Sequence, residues 1–116
     1  MKLQGSAKMI RIHIGENDKW HDRPLYQAIV EECRKLDIAG ATVYRGIEGY
    51  GASTLIHRPH AFHFSSDLPI MVQIIDTEEK IAKILPALDV MVPNGLIATS
   101  DVEVIRYVHE EGKRSE

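Results

Sequence analysis

Within residues 9–14, hydrophobic and polar residues alternate strictly from residue 10, because isoleucine occupies every second position. A period of two predicts a strand with one buried face. Apolar runs at 41–47 and 70–75 predict a second and a third strand. Residues 96–100 predict a fourth strand, and residues 104–108 a short last one.

Two segments between these strands place apolar residues three or four positions apart, which is the spacing of a helix with one buried face. The stripe of the first helix consists of Leu25, Ile29, Cys33 and Leu36. The stripe of the second consists of Ile81, Ile84, Leu85 and Leu88. Pro24 suits the first position of a helix, whereas Pro86 predicts a kink or a restart inside the second one. We expect Asp76 or Thr77 to cap that second helix.

The order β-α-β-β-α-β, followed by a short C-terminal strand, predicts a ferredoxin-like α+β sandwich. Two helices would cover one face of an antiparallel sheet, and the other face would include Met71 and Ile75. An uncovered face that is partly apolar favours an oligomer. We expect a flexible arm at 1–7, a single domain at 8–110 and a flexible tail at 111–116.

Composition narrows the class of protein. The chain has 116 residues, of which 44% are apolar, as in one globular domain. Its formal charge of −3 and the lack of a basic run argue against nucleic-acid binding. No stretch approaches the ~18 apolar residues of a membrane-spanning helix. The single cysteine, Cys33, excludes an internal disulfide and suits a cytoplasmic protein.

The connector between the second and third strands is the most distinctive segment. It begins at residues 42–51, which read TVYRGIEGYG, and it ends at Leu68 and Pro69. Connectors longer than roughly 12–15 residues without structure of their own are usually functional or mobile. We therefore place the working loop at about 49–67. The glycines at the start of the connector could instead have a purely structural role, in which they permit a bulge and a tight exit from the strand.

Three motifs carry a resemblance to the PII signalling superfamily, whose trimers sense small molecules through a long T-loop. The loop root at 42–51 resembles the pattern T-V-x-x-V-K-G-F-G. Asp67, Leu68 and Pro69 resemble D-F-L-P, and residues 100–111 resemble the last strand of that superfamily. The resemblance covers residues 8–110 and implies the same fold, with 49–67 as the T-loop.

The chain is still more similar to an uncharacterised PII-like family. The matching segments are Ile14-Gly15-Glu16, Pro24-Leu25-Tyr26 and residues 40–51. Some members are thought to accompany fluoride-exporting channels, but the family has no settled activity, so this resemblance implies the fold more than the function.

The departures from PII concern the side chains that hold a nucleotide triphosphate there. Different residues stand at five such positions, which are Ala52, Ser53, Ile70, Leu96 and Val108. Gly95 and Arg106 match the PII residues. Each charge-assisted hydrogen bond contributes about 1.5–3 kcal/mol. The resemblance therefore implies a less charged ligand, such as AMP or another adenine compound, and no obligatory cofactor.

The resemblance supplies a set of candidate ligand-binding residues, which are Arg45, Gly49, Tyr50, Gly51, Ser53, Gly95 and Arg106. Residues 49–51 would hold the base and sugar, with backbone N–H groups forming an anion nest, and Arg106 would meet a phosphate. Structural alternatives stay open. Tyr50 could anchor the loop on a neighbouring subunit, Arg45 could belong to an ion pair, and Arg106 could pair with a nearby glutamate.

Three histidines, His57, His60 and His63, fall within seven residues of the connector. Imidazole is the commonest metal ligand in proteins. Pro59, however, opposes a helical turn that would bring the rings together, and Asp67 is the one nearby acid that could complete a zinc site. We expect solvated histidines and keep a metal-binding protein as an alternative.

The sequence contains no nucleophile elbow, Walker loop or zinc-hydrolase pair, so an enzyme is not expected. It predicts a non-enzymatic PII-like sensor that forms a homotrimer and binds a small molecule in clefts between subunits. Its T-loop would contact a protein partner. A pure protein-interaction module, for example a partner of an ion-export channel, is the remaining alternative.

Overall fold

The computed structural model describes residues 2–51 and 67–109. The elements, in chain order, are β1 (Lys2–Gly15), β2 (Lys19–Trp20), β3 (Arg23–Pro24), α1 (Leu25–Lys35), β4 (Gly40–Arg45), β5 (Pro69–Asp76), α2 (Glu78–Met91) and β6 (Leu96–Val108). Residues 52–66 and 110–116 lie outside the described part. So do the candidate ligand residue Ser53, the three clustered histidines and the expected C-terminal tail.

Four strands form one antiparallel sheet in the order β4-β5-β1-β6, and β2 and β3 form a separate short hairpin. This order places the first and third long strands in the centre, as a split β-α-β arrangement requires. The predicted α+β ferredoxin-like fold is therefore confirmed. No helix in the described residues is long and apolar enough to cross a membrane.

The core lies between the sheet and the two helices. The isoleucines of β1 and the even-numbered positions of β5 are buried, as their period of two predicts. The buried residues of α1 and α2 come from the predicted stripes and from a few positions beside them. The core side chains from β1, β5, α1 and α2 include Ile10, Ile12, Ile14, Leu25, Ile29, Cys33, Val72, Ile74, Ile81, Ile84 and Leu88. Each fully buried aliphatic side chain contributes about 1.5–3 kcal/mol. The burial of these faces explains why the pattern alone predicts the two layers.

The sheet face turned away from the helices consists of three cross-strand rows, which we call the open face. The rows are Gly40–Ile75–Met9–Ser100, Thr42–Gln73–Arg11–Ala98 and Tyr44–Met71–His13–Leu96. Tyr44 and Leu96 leave 46% and 56% of their surface exposed. The predicted mixture of apolar and polar residues on this face, including Met71 and Ile75, is thus present.

The expectation of a flexible arm at 1–7 does not hold for the described residues 2–7. Strand β1 already begins at Lys2, and its first residues pair with the end of β6. Leu3 and Ala7 are buried, and the register shifts between Leu3 and Gly5, where Gly5 has a φ of +100°. The distant strand β6 satisfies the backbone hydrogen-bonding groups of the arm, which is a partner that the local sequence does not reveal.

Two further expectations are corrected. The separate strands predicted at 96–100 and 104–108 are one strand, because β6 stays paired with β1 over nearly its whole length. Helix α2 continues through Pro86 as a single element, so the restart considered for this proline does not occur. Its stripe is buried both before and after the proline, and this burial outweighs the cost of about 3 kcal/mol for a proline inside a helix. Thr77 caps α2 as predicted, since its side chain accepts a hydrogen bond from the Lys80 amide at 3.2 Å.

Candidate functional site

The candidate residues fall at two opposite ends of the sheet. At the loop end, β1 and β4 finish, β5 and β6 begin, and the long connector leaves and returns. At the arm end, the first residues of β1 meet the start of β4 and the last residues of β6.

Backbone hydrogen bonds anchor both roots of the connector at the loop end. The Gly46 amide donates to the Pro69 carbonyl at 2.7 Å, and the Glu16 amide donates to the Leu68 carbonyl at 2.8 Å. A β-carbon on Gly46 would lie 2.8 Å from the Pro69 ring, so glycine permits this close approach. The bulge-and-exit interpretation of this glycine therefore has direct structural support.

Arg45 forms an ion pair at the same end. Its Nη2 lies 2.6 Å from Oε2 of Glu16. The Arg45 side chain is 59% exposed, whereas the Glu16 side chain is only 16% exposed. The second carboxylate oxygen of Glu16 is buried and accepts no hydrogen bond from the described residues. Arg45 thus forms an ion pair, which was the alternative to a ligand-binding role for this residue.

Among the described residues, carboxylates dominate the charge near the roots of the connector. Glu16, Asp18, Glu48 and Asp67 lie in the segments that flank it, and Arg45 balances them only in part. Two of these carboxylates also order the turn after β1. Asp18 accepts a hydrogen bond from the Gly15 amide at 3.0 Å, and Asp67 accepts one from the Asn17 amide at 3.1 Å. Such a charge balance disfavours a ligand with several phosphates.

The first root of the connector presents large side chains to solvent. Ile47 is 95% exposed and Tyr50 is 84% exposed. Neither side chain is covered by the described part of its own chain, so any contacts of Tyr50 would come from outside the described residues. Gly51 is also exposed.

Gly95 has a packing role at the loop end. Its φ is +141°, and a β-carbon would lie 2.6 Å from the His13 carbonyl oxygen. A side chain at this position would therefore require both a strained backbone and a displaced strand. This contact explains the glycine without a ligand, and it brings Gly95 to the same end of the sheet as Arg45.

At the arm end, the structure contains a cavity of about 270 Å³. Its walls are formed by Leu3, Ala39, Gly40, Thr42, Gln73, Ile75, Val104, Arg106 and Tyr107. Arg106 is the one charged residue among these described residues. The Tyr107 hydroxyl donates a hydrogen bond to the Ala39 carbonyl at 3.1 Å and so ties β6 to the segment before β4. The cavity has an apolar wall and a single guanidinium group.

Arg106 makes no ion pair within the described part of the chain, so the alternative pairing with Glu103 is not formed there. Sequence reasoning identified Arg106 but missed the other walls of its cavity. Leu3 was overlooked because the arm was expected to be flexible. The signal available was a leucine between two polar residues of the arm, Lys2 and Gln4.

The two ends are too far apart to act together on one small ligand within one chain. Strand β4 alone separates Gly40 at the arm end from Arg45 at the loop end by roughly 16 Å, at about 3.3 Å per residue. Residues 49–51 lie beyond Arg45 along the chain. A mononucleotide that contacts both Arg106 and residues 49–51 must therefore lie between two copies of the chain.

Other reactive chemistry is not apparent in the described residues. No group of three or more histidine, cysteine or acidic side chains there could hold a metal ion. Cys33 is buried in the core, and this burial, reinforced by the charge of Glu32, raises the pKa of its thiol to about 11. A thiol of this kind is inert at neutral pH.

The fold defines the chain as a PII-like α+β protein, and solved structures agree. It is similar to CPII from Thiomonas intermedia K12 bound to ADP and bicarbonate, with a TM-score of 0.60, 18% identity, and coverage of 85% of this chain and 88% of that one. The complex of CPII with ADP, AMP and acetate gives a TM-score of 0.62 at 14% identity, covering 88% and 91%. A putative PII-like signaling protein of Thermus thermophilus, TTHA0516, gives 0.61 at 21% identity, covering 87% and 91%. At these identities the likeness shows the fold.

The chain belongs to the DUF190 family, described as Uncharacterized ACR, COG1993, whose family model matches residues 7–104. It is 40% identical over 98 residues to a UPF0166 protein of Aquifex aeolicus strain VF5, covering 84% of this chain and 92% of that protein. It is 37% identical over 101 residues to the UPF0166 protein MJ1524 of Methanocaldococcus jannaschii, covering 86% and 93%. The predicted uncharacterised family is therefore the DUF190 family, and its predicted PII-like fold is confirmed.

Proposed function

We propose that the chain is a non-enzymatic PII-like sensor that binds an adenine mononucleotide, such as AMP, in clefts between its copies. The observation that carries this proposal is the cavity at the arm end. It offers apolar walls suited to a base or sugar and one guanidinium, that of Arg106, suited to one phosphate. At about 270 Å³ it is slightly smaller than typical ligand sites, as expected for a half-site that a second copy completes.

The opposite positions of the candidate residues support a site shared between copies. The arm end of one copy would contribute Arg106, and the loop end of the next would contribute residues 49–51. Such a head-to-tail contact uses two different surfaces, and it closes into a ring when the rotation between copies permits. We propose a homotrimer in which the open faces line the interior of the ring.

Charge favours a ligand with one phosphate. The four carboxylates near the roots of the connector would repel outer phosphates, and only one arginine lines the cavity among the described residues. CPII, which shares the fold, has been crystallised with ADP, and with ADP and AMP together, which supports an adenine nucleotide as the ligand class.

Signalling would use the connector as a T-loop, at about 49–67. Both of its roots are anchored to the sheet, so a ligand that touches residues 49–51 acts next to a fixed point of the loop. Ile47 and Tyr50 would offer exposed contacts to a partner protein. The ligand can change partner binding only if it binds two loop states with different affinity.

Titration calorimetry with AMP and ATP tests the ligand. We expect AMP to bind no more weakly than ATP, with a Kd of about 1 μM or weaker, because one charge-assisted contact must offset the ordering of ligand and loop. Arg106→Ala should weaken AMP binding by about 1.5–3 kcal/mol. Arg34→Ala, which removes an exposed arginine from α1, is the matched control and should leave the affinity unchanged.

ATP binding at least tenfold tighter than AMP binding would contradict the argument from charge. If neither nucleotide bound, the sensor proposal would fail and a protein-interaction module would be the better description of the exposed loop root.

A further inference from the structure

The open face carries positive charge without any compensating carboxylate. Of its twelve residues, Arg11 is a permanent cation and His13 is a second basic group, and none is aspartate or glutamate. The nearest acidic residue on β6 belongs to another contact. Asp101 forms an ion pair with Lys8 at 2.7 Å.

Arg11 occupies the centre of this face. It lies on the inner strand β1, in the middle row, directly between Gln73 on β5 and Ala98 on β6, with Thr42 one strand further along. Its side chain is exposed and forms neither an ion pair nor a hydrogen bond in the described part of the chain. A guanidinium only donates hydrogen bonds, so it requires acceptors when water is removed.

The inference rests on the proposed trimer, which would cover this face. The apolar members of the rows, such as Tyr44, Met71 and Leu96, favour that covering. Each further copy brings the same face, however, and therefore another Arg11 and no carboxylate. Removing a charged group from water without a counter-charge costs several kcal/mol. Three converging arginines cannot neutralise one another.

We propose that the trimer encloses a small oxyanion, of the size of inorganic phosphate, held by the Arg11 side chains of its three copies. Each copy adds the Gln73 amide beside its arginine, so donors would surround the anion from three directions. A compact anion with several acceptor oxygens fits the guanidinium groups and the amide N–H groups that would face it. The site is incomplete in one chain. It adjoins the Arg106 cavity, because Gln73 also lines that cavity, but its charge comes from a different strand.

Thermal unfolding and light scattering on the full chain test the site, with inorganic phosphate as the probe in a zwitterionic buffer. Phosphate should raise the Tm of the wild-type trimer by about 5 °C or more at saturation. With Arg106 also replaced by alanine, so that phosphate has no guanidinium in the nucleotide cavity, Arg11→Met should give a trimer that does not respond to phosphate. In phosphate-free buffer, the single variant Arg11→Met should be at least as stable as the wild type. An apolar residue in place of a buried charge removes the need for the anion.

Two control variants separate this site from general salt effects and from the nucleotide cavity. Arg34→Met removes an exposed arginine of α1 and should keep the wild-type response to phosphate. Arg106→Ala removes the guanidinium that the nucleotide cavity offers to a phosphate. We expect this variant to respond to phosphate still, and the response that remains comes from the Arg11 site. Equilibrium dialysis of labelled phosphate against the Arg106→Ala variant should find one anion per three chains, and adding Arg11→Met to that variant should abolish this binding.

A wild-type trimer whose Tm is indifferent to phosphate would overturn the anion site and leave the proposed trimer intact. The same holds if adding Arg11→Met to the Arg106→Ala variant leaves its response to phosphate unchanged. A chain that stays monomeric with and without phosphate would overturn the proposed trimer, and the anion site with it.

Discussion

At the scale of single residues, Glu16 and Arg45 form an unequal pair. The arginine is mostly exposed, whereas the carboxylate is mostly buried and has one oxygen without a hydrogen-bond donor among the described residues. When one partner of this ion pair is removed, the remaining charged group is therefore solvated to a different extent. Water can solvate Arg45, but it has little access to Glu16.

This asymmetry predicts unequal effects of two substitutions. Arg45→Met should lower the free energy of unfolding by about 1–3 kcal/mol, because it leaves a buried carboxylate without a partner. Glu16→Gln should change the free energy of unfolding by less than about 1 kcal/mol, because the remaining Arg45 is exposed and water can solvate it. Urea unfolding of both variants measures the difference, and the double variant should recover most of the loss. Equal losses in the two single variants would show that burial of Glu16 has no energetic effect.

The buried thiol of Cys33 should make the stability of the protein depend on pH. Its thiol has a pKa raised from the ordinary value of 9.0 to about 11 by burial. The unfolded chain therefore releases the thiol proton at a lower pH than the folded chain does. The stability that the neutral thiol contributes is complete below pH 9 and is lost as the pH rises through 11.

Chemical denaturation from just below pH 9 up to pH 11 checks this expectation, where the window follows from the two pKa values. The wild type should lose stability more steeply with pH than Cys33→Ala, which has no thiol to ionise. Parallel pH profiles for the two proteins would mean that the thiol ionises equally in both states.

At the scale of elements, the pairing of β1 with β6 builds the arm end. The register shift near Gly5 lets the first residues of β1 follow β6 to its last residues, and Leu3 becomes buried beside Tyr107. The cavity therefore depends on an N-terminal segment that carries no strand pattern. The same pairing brings Arg106 and Tyr107 to the start of β4.

Leu3→Ala tests this account. Removing a buried leucine side chain should lower the free energy of unfolding by about 2 kcal/mol or more, and it should weaken AMP binding by enlarging the cavity. Gln4→Ala is the matched control, because Gln4 lies on the same strand and is exposed. Urea unfolding that changes by less than about 0.5 kcal/mol for Leu3→Ala would indicate an arm that does not pack.

At the scale of the whole molecule, the separation between the loop end and the arm end is the central property. A single chain presents half of the proposed site at each end and leaves a partly apolar sheet face open. Both features favour the same closed ring. The ring would also place Arg11 in its interior, so assembly, anion binding and nucleotide binding become properties of one complex.

Light scattering during size-exclusion chromatography tests the assembly. We expect a mass of three chains that persists on dilution, because obligate interfaces formed from apolar faces are stable. Tyr44→Glu, on the open face, should shift the mass toward one chain because it places an acid in an apolar contact. Glu48→Gln, an exposed change at the loop root, should keep the trimer. A monomer at every concentration would contradict the proposed ring.

Local patterns in the sequence determined the layers of this protein. The isoleucines of β1, the alternation in β5 and the stripes of both helices specify which faces are buried, because each pattern reports a contact with one common core. Arg106 was identified as a candidate ligand-binding residue because it matches a residue in the last strand of the PII superfamily. These inferences needed only residues that are near one another in the chain.

Tertiary structure alone decided the rest. The pairing of Leu3 with Tyr107, the ion pair of Glu16 with Arg45 and the cavity around Arg106 join residues that are far apart in sequence, and no local period encodes such contacts. Pro86 shows that a local preference can also be overridden. Packing of α2 on the core keeps the helix continuous at this proline, although the local sequence favours a break. The sequence therefore determined which faces are buried, and the long-range packing decided which side chains meet.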